Sequence, residues 1–113
     1  PQCDVYVVHQ GDETLDSALQ AAERLRDAGL DVILHCGGGS FKSQFKRADT
    51  SGAQLAVIVG ADELARGEVS VKWLRSGEAG AAGPQQAVAI DRLAEVVVDA
   101  IVANQDNPED PGQ

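Results

Sequence analysis

The residues that could do chemistry are concentrated between Gly37 and Ala48, in the run GGGSFKSQFKRA. Gly37, Gly38 and Gly39 are followed by Ser40, a good helix cap, and then by Lys42, Lys46 and Arg47 with no acid among them. A glycine turn that opens a helix exposes backbone amides at a positive helix end, and such a place can hold a phosphate or another anion. The spacing is not that of a Walker loop, which ends Gly-Lys-Ser/Thr, nor of the dinucleotide fingerprint. The competing reading of the glycines is a tight turn that needs positive φ. On a helical wheel Lys42, Ser43, Lys46 and Arg47 lie away from the stripe Phe41/Phe45/Ala48 and face solvent. Such a surface suits phosphates and base edges, although a cationic helix face is by itself an ordinary solvated face.

Other candidates are weaker. His9, His35, Cys3 and Cys36 include soft metal ligands, but no paired-ligand spacing joins them. His9 and His35/Cys36 fall at the C-terminal ends of two strands, with Cys3 at the opposite end, about 15 Å away at ~3.3 Å per strand residue. No metal site is expected. Cys36 beside a histidine lacks a third, orienting group, so no catalytic residue is assigned. Trp73 could stack on a base, but it shares the alternating apolar face of Val69 and Val71, which predicts core packing. Asp62 and Glu63 are adjacent and make no obvious catalytic carboxylate pair.

The elements that must position this region follow from hydrophobic period. DVYVV (Asp4 to Val8), DVILH (Asp31 to His35) and QLAVIV (Gln54 to Val59) read as buried strands. Between the first two, Leu15, Ala18, Leu19, Ala22 and Leu25 mark one apolar helix face, with Thr14 as the cap and Gly29 as the stop. A second helix starts after Ser40 and ends at Gly52. Strand, helix, strand, helix, strand implies parallel pairing with right-handed crossovers. A helical turn over Glu63 to Arg66 precedes EVSVKWL (Glu68 to Leu74), whose alternation predicts a half-exposed antiparallel strand. Its hairpin partner is QAVAI (Gln86 to Ile90), across the loose loop Ser76 to Pro84. A last amphipathic helix, capped by Asp91, carries Leu93, Val96, Val97, Ala100 and Ile101. The expected fold is α/β: a five-stranded mixed sheet, three parallel strands plus an antiparallel hairpin, flanked by three helices. Residues 1–103 read as one domain and 104–113 as a disordered acidic tail.

Composition narrows the function. The chain has 113 residues, 43% hydrophobic and 24% charged, which suits one globular domain with a core. Its net charge of −9 argues against an autonomous, non-specific binder of nucleic acid or membrane. The charge is uneven, with six acids against Arg24 and Arg26 over residues 12 to 31, and three acids without a base over 104 to 113. Two cysteines make no disulfide framework, and reduced thiols of a cytoplasmic protein are expected. No apolar run is long enough for a membrane span. The chain begins at Pro1 and contains no methionine, which predicts a piece of a longer parent.

At this point the residues carry a resemblance. DVYVVHQG (Asp4 to Gly11), AERLRDAGL (Ala22 to Leu30), GGGSFKSQFKRADTSGA (Gly37 to Ala53), AVIVGADELARGEVSVKWL (Ala56 to Leu74) and QAVAIDRLAEVVVDAI (Gln86 to Ile101) resemble the C-terminal anticodon-binding domain of class IIa aminoacyl-tRNA synthetases, specifically histidyl-tRNA synthetase. The most specific stretch is Ser40 to Asp49 followed by Ser51-Gly52-Ala53, and the likeness covers Asp4 to about Val102. The resemblance implies a domain that docks on the anticodon stem-loop of histidine tRNA. A catalytic domain elsewhere in the parent chain would use ATP and magnesium. The domain itself would be non-catalytic and need no cofactor, and the parent would be a homodimer. Two departures stand out: relatives often carry Arg where Gly39 stands, and Pro where His9 stands.

RNA bases are read unstacked, on edges and faces, with phosphates fixing register. The expected RNA-binding set is therefore Gly38, Gly39, Ser40, Lys42, Gln44, Lys46 and Arg47. Lys42 and Lys46 are the electrostatic candidates, Gln44 the base-edge candidate, and Ser40 a cap or phosphate contact. Two alternatives remain. In one, the chain is a protein-interaction or dimerisation module without RNA contact, whose helix cations would be buried or paired with Asp49 and other acids. In the other, a flavodoxin-like domain binds a nucleotide with its glycine loop.

Overall fold

The computed structural model describes residues 3–74 and 85–106. Five strands form one sheet in the order β2-β1-β3-β4-β5: β1 Val5–His9, β2 Val32–Leu34, β3 Leu55–Val59, β4 Glu68–Trp73 and β5 Gln86–Ala89. β1 runs parallel to both β2 (Val5 opposite Val32) and β3 (Val5 opposite Leu55). β4 is antiparallel to β3 (Val57 opposite Val71), and β5 is antiparallel to β4 (Val69 opposite Val88). The helices are α1 Leu15–Asp27, α2 Phe41–Ser51, the short α3 Ala61–Ala65 and α4 Leu93–Asp106. The mixed sheet and the three long helices agree with the expected fold.

Side-chain alternation along β1 explains the layers. Val5 and Val7 join Leu55, Val57 and Val59 of β3 in a core closed by α1 and α4. Tyr6 and Val8 point to the other face, where Ala48 of α2 and Ile58 complete a second, smaller core flanked by Phe41 and Phe45. A strand covered on both faces has no polar side, so DVYVV and LAVIV read as continuous apolar runs. Trp73 packs against the larger core beside Val69 and Val71, as expected from its alternation.

Several local expectations need correction. The buried face of α1 is Ala18, Ala21, Ala22 and Leu25, whereas Leu15 and Leu19 are 47% and 43% exposed. The stripe is centred on the alanines, whose small side chains let the helix lie close to the sheet, so the two leucines fall at its rim. Thr14 is not a side-chain cap. It is fully buried inside a 3-10 turn (Asp12–Thr14), and its hydroxyl donates to the Gly11 carbonyl at 2.7 Å. Asp91 lies in a second 3-10 turn (Ile90–Arg92), with its carboxylate 3.4 Å from Arg24. The helical turn expected at Glu63 to Arg66 is α3, which starts two residues and ends one residue earlier. Helix α4 continues through Asp106, three residues into the stretch read as disordered, because Ala103-Asn104-Gln105 contains no breaker. The rest of that tail, and the Ser76 to Pro84 loop, lie outside the described residues.

Candidate nucleic-acid interface

The glycine loop leaves the C-terminal end of β2 and opens α2. Gly37, Gly38 and Gly39 all have positive φ (105°, 67° and 98°), which L side chains rarely adopt. The tight-turn reading of the glycines is therefore correct, and it coexists with an exposed loop. A Cβ at Gly39 would sit 2.9 Å from Ser43 Oγ, so a side chain here meets both backbone strain and a close neighbour. Ser40 caps α2 in the extended conformation, its Oγ accepting from the Ser43 N–H at 3.2 Å. That assigns the Ser40 hydroxyl to the cap, one of its two expected roles.

Lys42, Lys46 and Arg47 are exposed on α2, as the wheel requires. Among the described residues none of them forms an ion pair, whereas Arg24, Arg26, Arg66 and Arg92 each meet a carboxylate. Lys46 and Arg47 rim a shallow groove of about 500 Å³ with Tyr6, Ile33, Thr50 and Ser51. Ile33 is 41% exposed there, because the three-residue edge strand β2 leaves that part of the sheet open. Burial pushes the Tyr6 hydroxyl above its ordinary pKa range, while the nearby Arg47 cation opposes the shift. Lys72 lies 5.5 Å over the Phe45 ring, outside the loop–helix edge.

The structure turns Gln44, expected as a base-edge contact, inward rather than toward solvent. Its side chain is fully buried, with Oε1 accepting from the His9 N–H at 2.9 Å. Its Nε2 donates to the carbonyls of His9 at 2.7 Å and Gly39 at 2.9 Å. The wheel places Gln44 at the flank of the exposed face, and only the position of β1 turns that flank inward.

The histidines have internal partners too. The His35 ring, 5% exposed, has Nε2 2.7 Å from the Gly38 carbonyl and Nδ1 2.8 Å from the Tyr6 hydroxyl. The His9 Nε2 donates to the His35 carbonyl at 3.0 Å. Among the described residues no three His, Cys, Asp or Glu side chains group as a metal site requires. Cys3 is buried at the far end of β1, its thiol donating to the Val5 carbonyl at 3.0 Å. Cys36 is exposed, and its nearest acceptor is the Leu34 carbonyl at 3.5 Å.

One region escaped the reading of the sequence. The loop after β1 meets the glycine loop across a cleft of about 540 Å³ lined by His9, Gln10, Gly11, Asp12, Leu15, Gly38 and Gly39. Gln10 to Asp12 looked like an ordinary polar loop. The available signal was topological, since loops at the carboxyl ends of neighbouring parallel strands share one crevice.

Comparison with known proteins places this geometry. The family model described as the anticodon binding domain matches residues 2–100. The chain is 61% identical over 107 residues to a histidine–tRNA ligase of Ralstonia nicotianae, covering 91% of this chain and 24% of that protein. It is 55% identical over 112 residues to a histidine–tRNA ligase of Burkholderia pseudomallei, covering 95% of this chain and 25% of that protein. Among solved structures, a histidyl-tRNA synthetase from a Nostoc species superposes with a TM-score of 0.77 at 37% identity, over 89% of this chain and 23% of that one. The RNA binding domain of a threonyl-tRNA synthetase from Cryptosporidium parvum superposes at 0.73 with 14% identity, over 86% of this chain and 23% of that one, a likeness of fold alone. The chain spans about a quarter of the length of the curated relatives it matches.

Proposed function

Since the chain belongs to the anticodon-binding domain family, we propose that it is the tRNA-docking domain of a histidine–tRNA ligase. It binds the anticodon stem-loop of histidine tRNA along the edge formed by the glycine loop and α2. The parent chain holds the tRNA here while a separate catalytic domain, using ATP and magnesium, attaches histidine to the acceptor end. This domain carries no catalytic residue of its own. The parent works as a homodimer in the cytoplasm. No helix of the described residues is long and apolar enough to cross a membrane.

One observation carries the reading. In a chain of net charge −9, the only cluster of exposed cations without an ion pair among the described residues is Lys42, Lys46 and Arg47, directly beside the glycine loop. The protein-interaction alternative required these cations to be buried or tied to acids. Their exposure instead supports contact with a polyanion, and the acidic remainder of the surface confines that contact to one edge. The backbone of Gly38 and Gly39 lies on this edge, and the Ser40 cap holds the start of the helix in place. An acidic body with one basic edge binds weakly alone and gains affinity from being linked to a second tRNA-binding module.

The test is a titration of the chain with three RNAs: the histidine anticodon stem-loop, the same stem with an altered anticodon, and an acceptor-stem hairpin. Preference for the first supports the proposal. Equal binding to all three, or none to any, refutes it.

A further inference from the structure

Three buried or half-buried side chains, His9, His35 and Gln44, determine which way the glycine loop faces. His9 Nε2 donates to the carbonyl of His35, His35 Nε2 to that of Gly38, and Gln44 Nε2 to that of Gly39. Ser40's carbonyl accepts from the backbone N–H of Gln44 at 3.0 Å and from the Ser43 hydroxyl at 3.0 Å. A carbonyl can only accept, so the His35 proton on this side belongs to Nε2. The opposite nitrogen, Nδ1, meets the Tyr6 hydroxyl, which in turn is anchored in the smaller core. The amide N–H groups of Gly37, Gly38, Gly39 and Ser40 have no acceptor among the described residues. From Gly38 to Ser40 the loop is thus polarised, with all three carbonyls taken by internal donors and the amides left without an internal acceptor.

Gln44 makes the arrangement rigid because it also takes both backbone groups of His9, the N–H and the C=O. It acts as a stand-in for a neighbouring strand at the end of β1. Without it a flexible triple-glycine turn would sample many conformations, since glycine loses more conformational freedom on ordering than any other residue.

We propose that Gln44 and His35 are positioning residues for RNA binding: they hold the glycine loop with its amide donors turned outward, so that the RNA meets preformed donors beside Lys42. This inference rests on the docking function proposed above and adds residues to it that touch no RNA. Ordering the loop in advance removes a cost that binding would otherwise have to meet.

The experiment uses the 15N-labelled chain and the histidine anticodon stem-loop RNA. Backbone order at Gly37 to Ser40 and RNA affinity are measured for the wild type, Gln44→Met, His35→Leu and His35→Gln. Methionine keeps the length of Gln44 without its hydrogen bonds, and glutamine can restore a donor toward the Gly38 carbonyl where leucine cannot. In the wild type and His35→Gln, loop order parameters are expected near ~0.85, falling below ~0.6 in Gln44→Met and His35→Leu. RNA affinity should fall about tenfold in those two, the loss of roughly one charge-assisted hydrogen bond. The salt dependence should not change, because no cation is removed. Unchanged loop order in the folded variants overturns the inference, and so does a disordered loop with wild-type affinity. If Gln44→Met does not fold, the His35→Leu and His35→Gln pair decides alone. Absence of RNA binding by the wild type refutes the docking function, while the loop-order comparison still passes or fails the ordering role of Gln44 and His35.

Discussion

Replacing Lys42 and Lys46 with alanine removes two of the three exposed α2 cations that lack an ion pair among the described residues. If each of the three neutralises one phosphate of a single-stranded loop, the logarithm of affinity falls with the logarithm of salt with a slope of about −0.7 per cation. The wild-type slope is then about −2, and that of the double variant about −0.7. Between 50 mM and 200 mM salt the wild type should lose roughly 20-fold in affinity, and the variant about threefold. Because both lysines are exposed and neither is part of the core, the fold should be unaffected, which a thermal melt can verify. The assay is fluorescence anisotropy with a labelled anticodon stem-loop at four or five salt concentrations. Equal slopes for the two proteins would refute the assignment of α2 as the electrostatic contact, whatever the absolute affinities.

Further outcomes follow from the same structure. Gly39→Ala forces a non-glycine residue to φ near +98° and brings its Cβ against Ser43 Oγ. It should cost about 1–2 kcal/mol in a denaturant titration, and a change near zero would show that the loop relaxes freely. Tyr6 has its folded-state pKa raised mainly by burial, so the stability this group contributes is fully present below its unfolded value near 10 and is lost as pH rises above it. Alkaline melts should therefore show a decline above about pH 10 that is smaller in Tyr6→Phe, and identical profiles would contradict the burial argument. Burial likewise pushes the Cys3 thiol up, so alkylation at neutral pH should label exposed Cys36 quickly and Cys3 only slowly. Equal labelling rates would mean that the start of β1 opens readily.

Strand identity and pairing sense were legible from hydrophobic period alone. Continuous apolar runs at Asp4 to Val8 and Gln54 to Val59 signal strands covered on both faces, and the alternation at Glu68 to Leu74 signals the switch to antiparallel pairing. These are local patterns, and local patterns survive into the fold because each strand must bury its own apolar atoms. The offset of α1 was less legible, since a wheel weighs leucine above alanine and cannot know how close the sheet lies. The basic edge was visible too, because Lys42, Lys46 and Arg47 share a helix without acids.

Gln44 marks the boundary between the two kinds of information. Its neighbours in sequence make it one more polar residue on a charged helix, suited to a base edge. Only the crossover that lays α2 against the end of β1 brings His9, Gln44 and Gly39 within hydrogen-bond reach across 35 and five residues of chain. The cleft between the β1 loop and the glycine loop arises the same way, from parallel strands ending side by side. From its sequence alone, then, the chain determined its elements, the order of their pairing, its family and its one cationic edge, because these depend on residue type and period. Which polar groups are spent inside and which face outward was decided by tertiary structure, because a hydrogen bond depends on where its partner arrives.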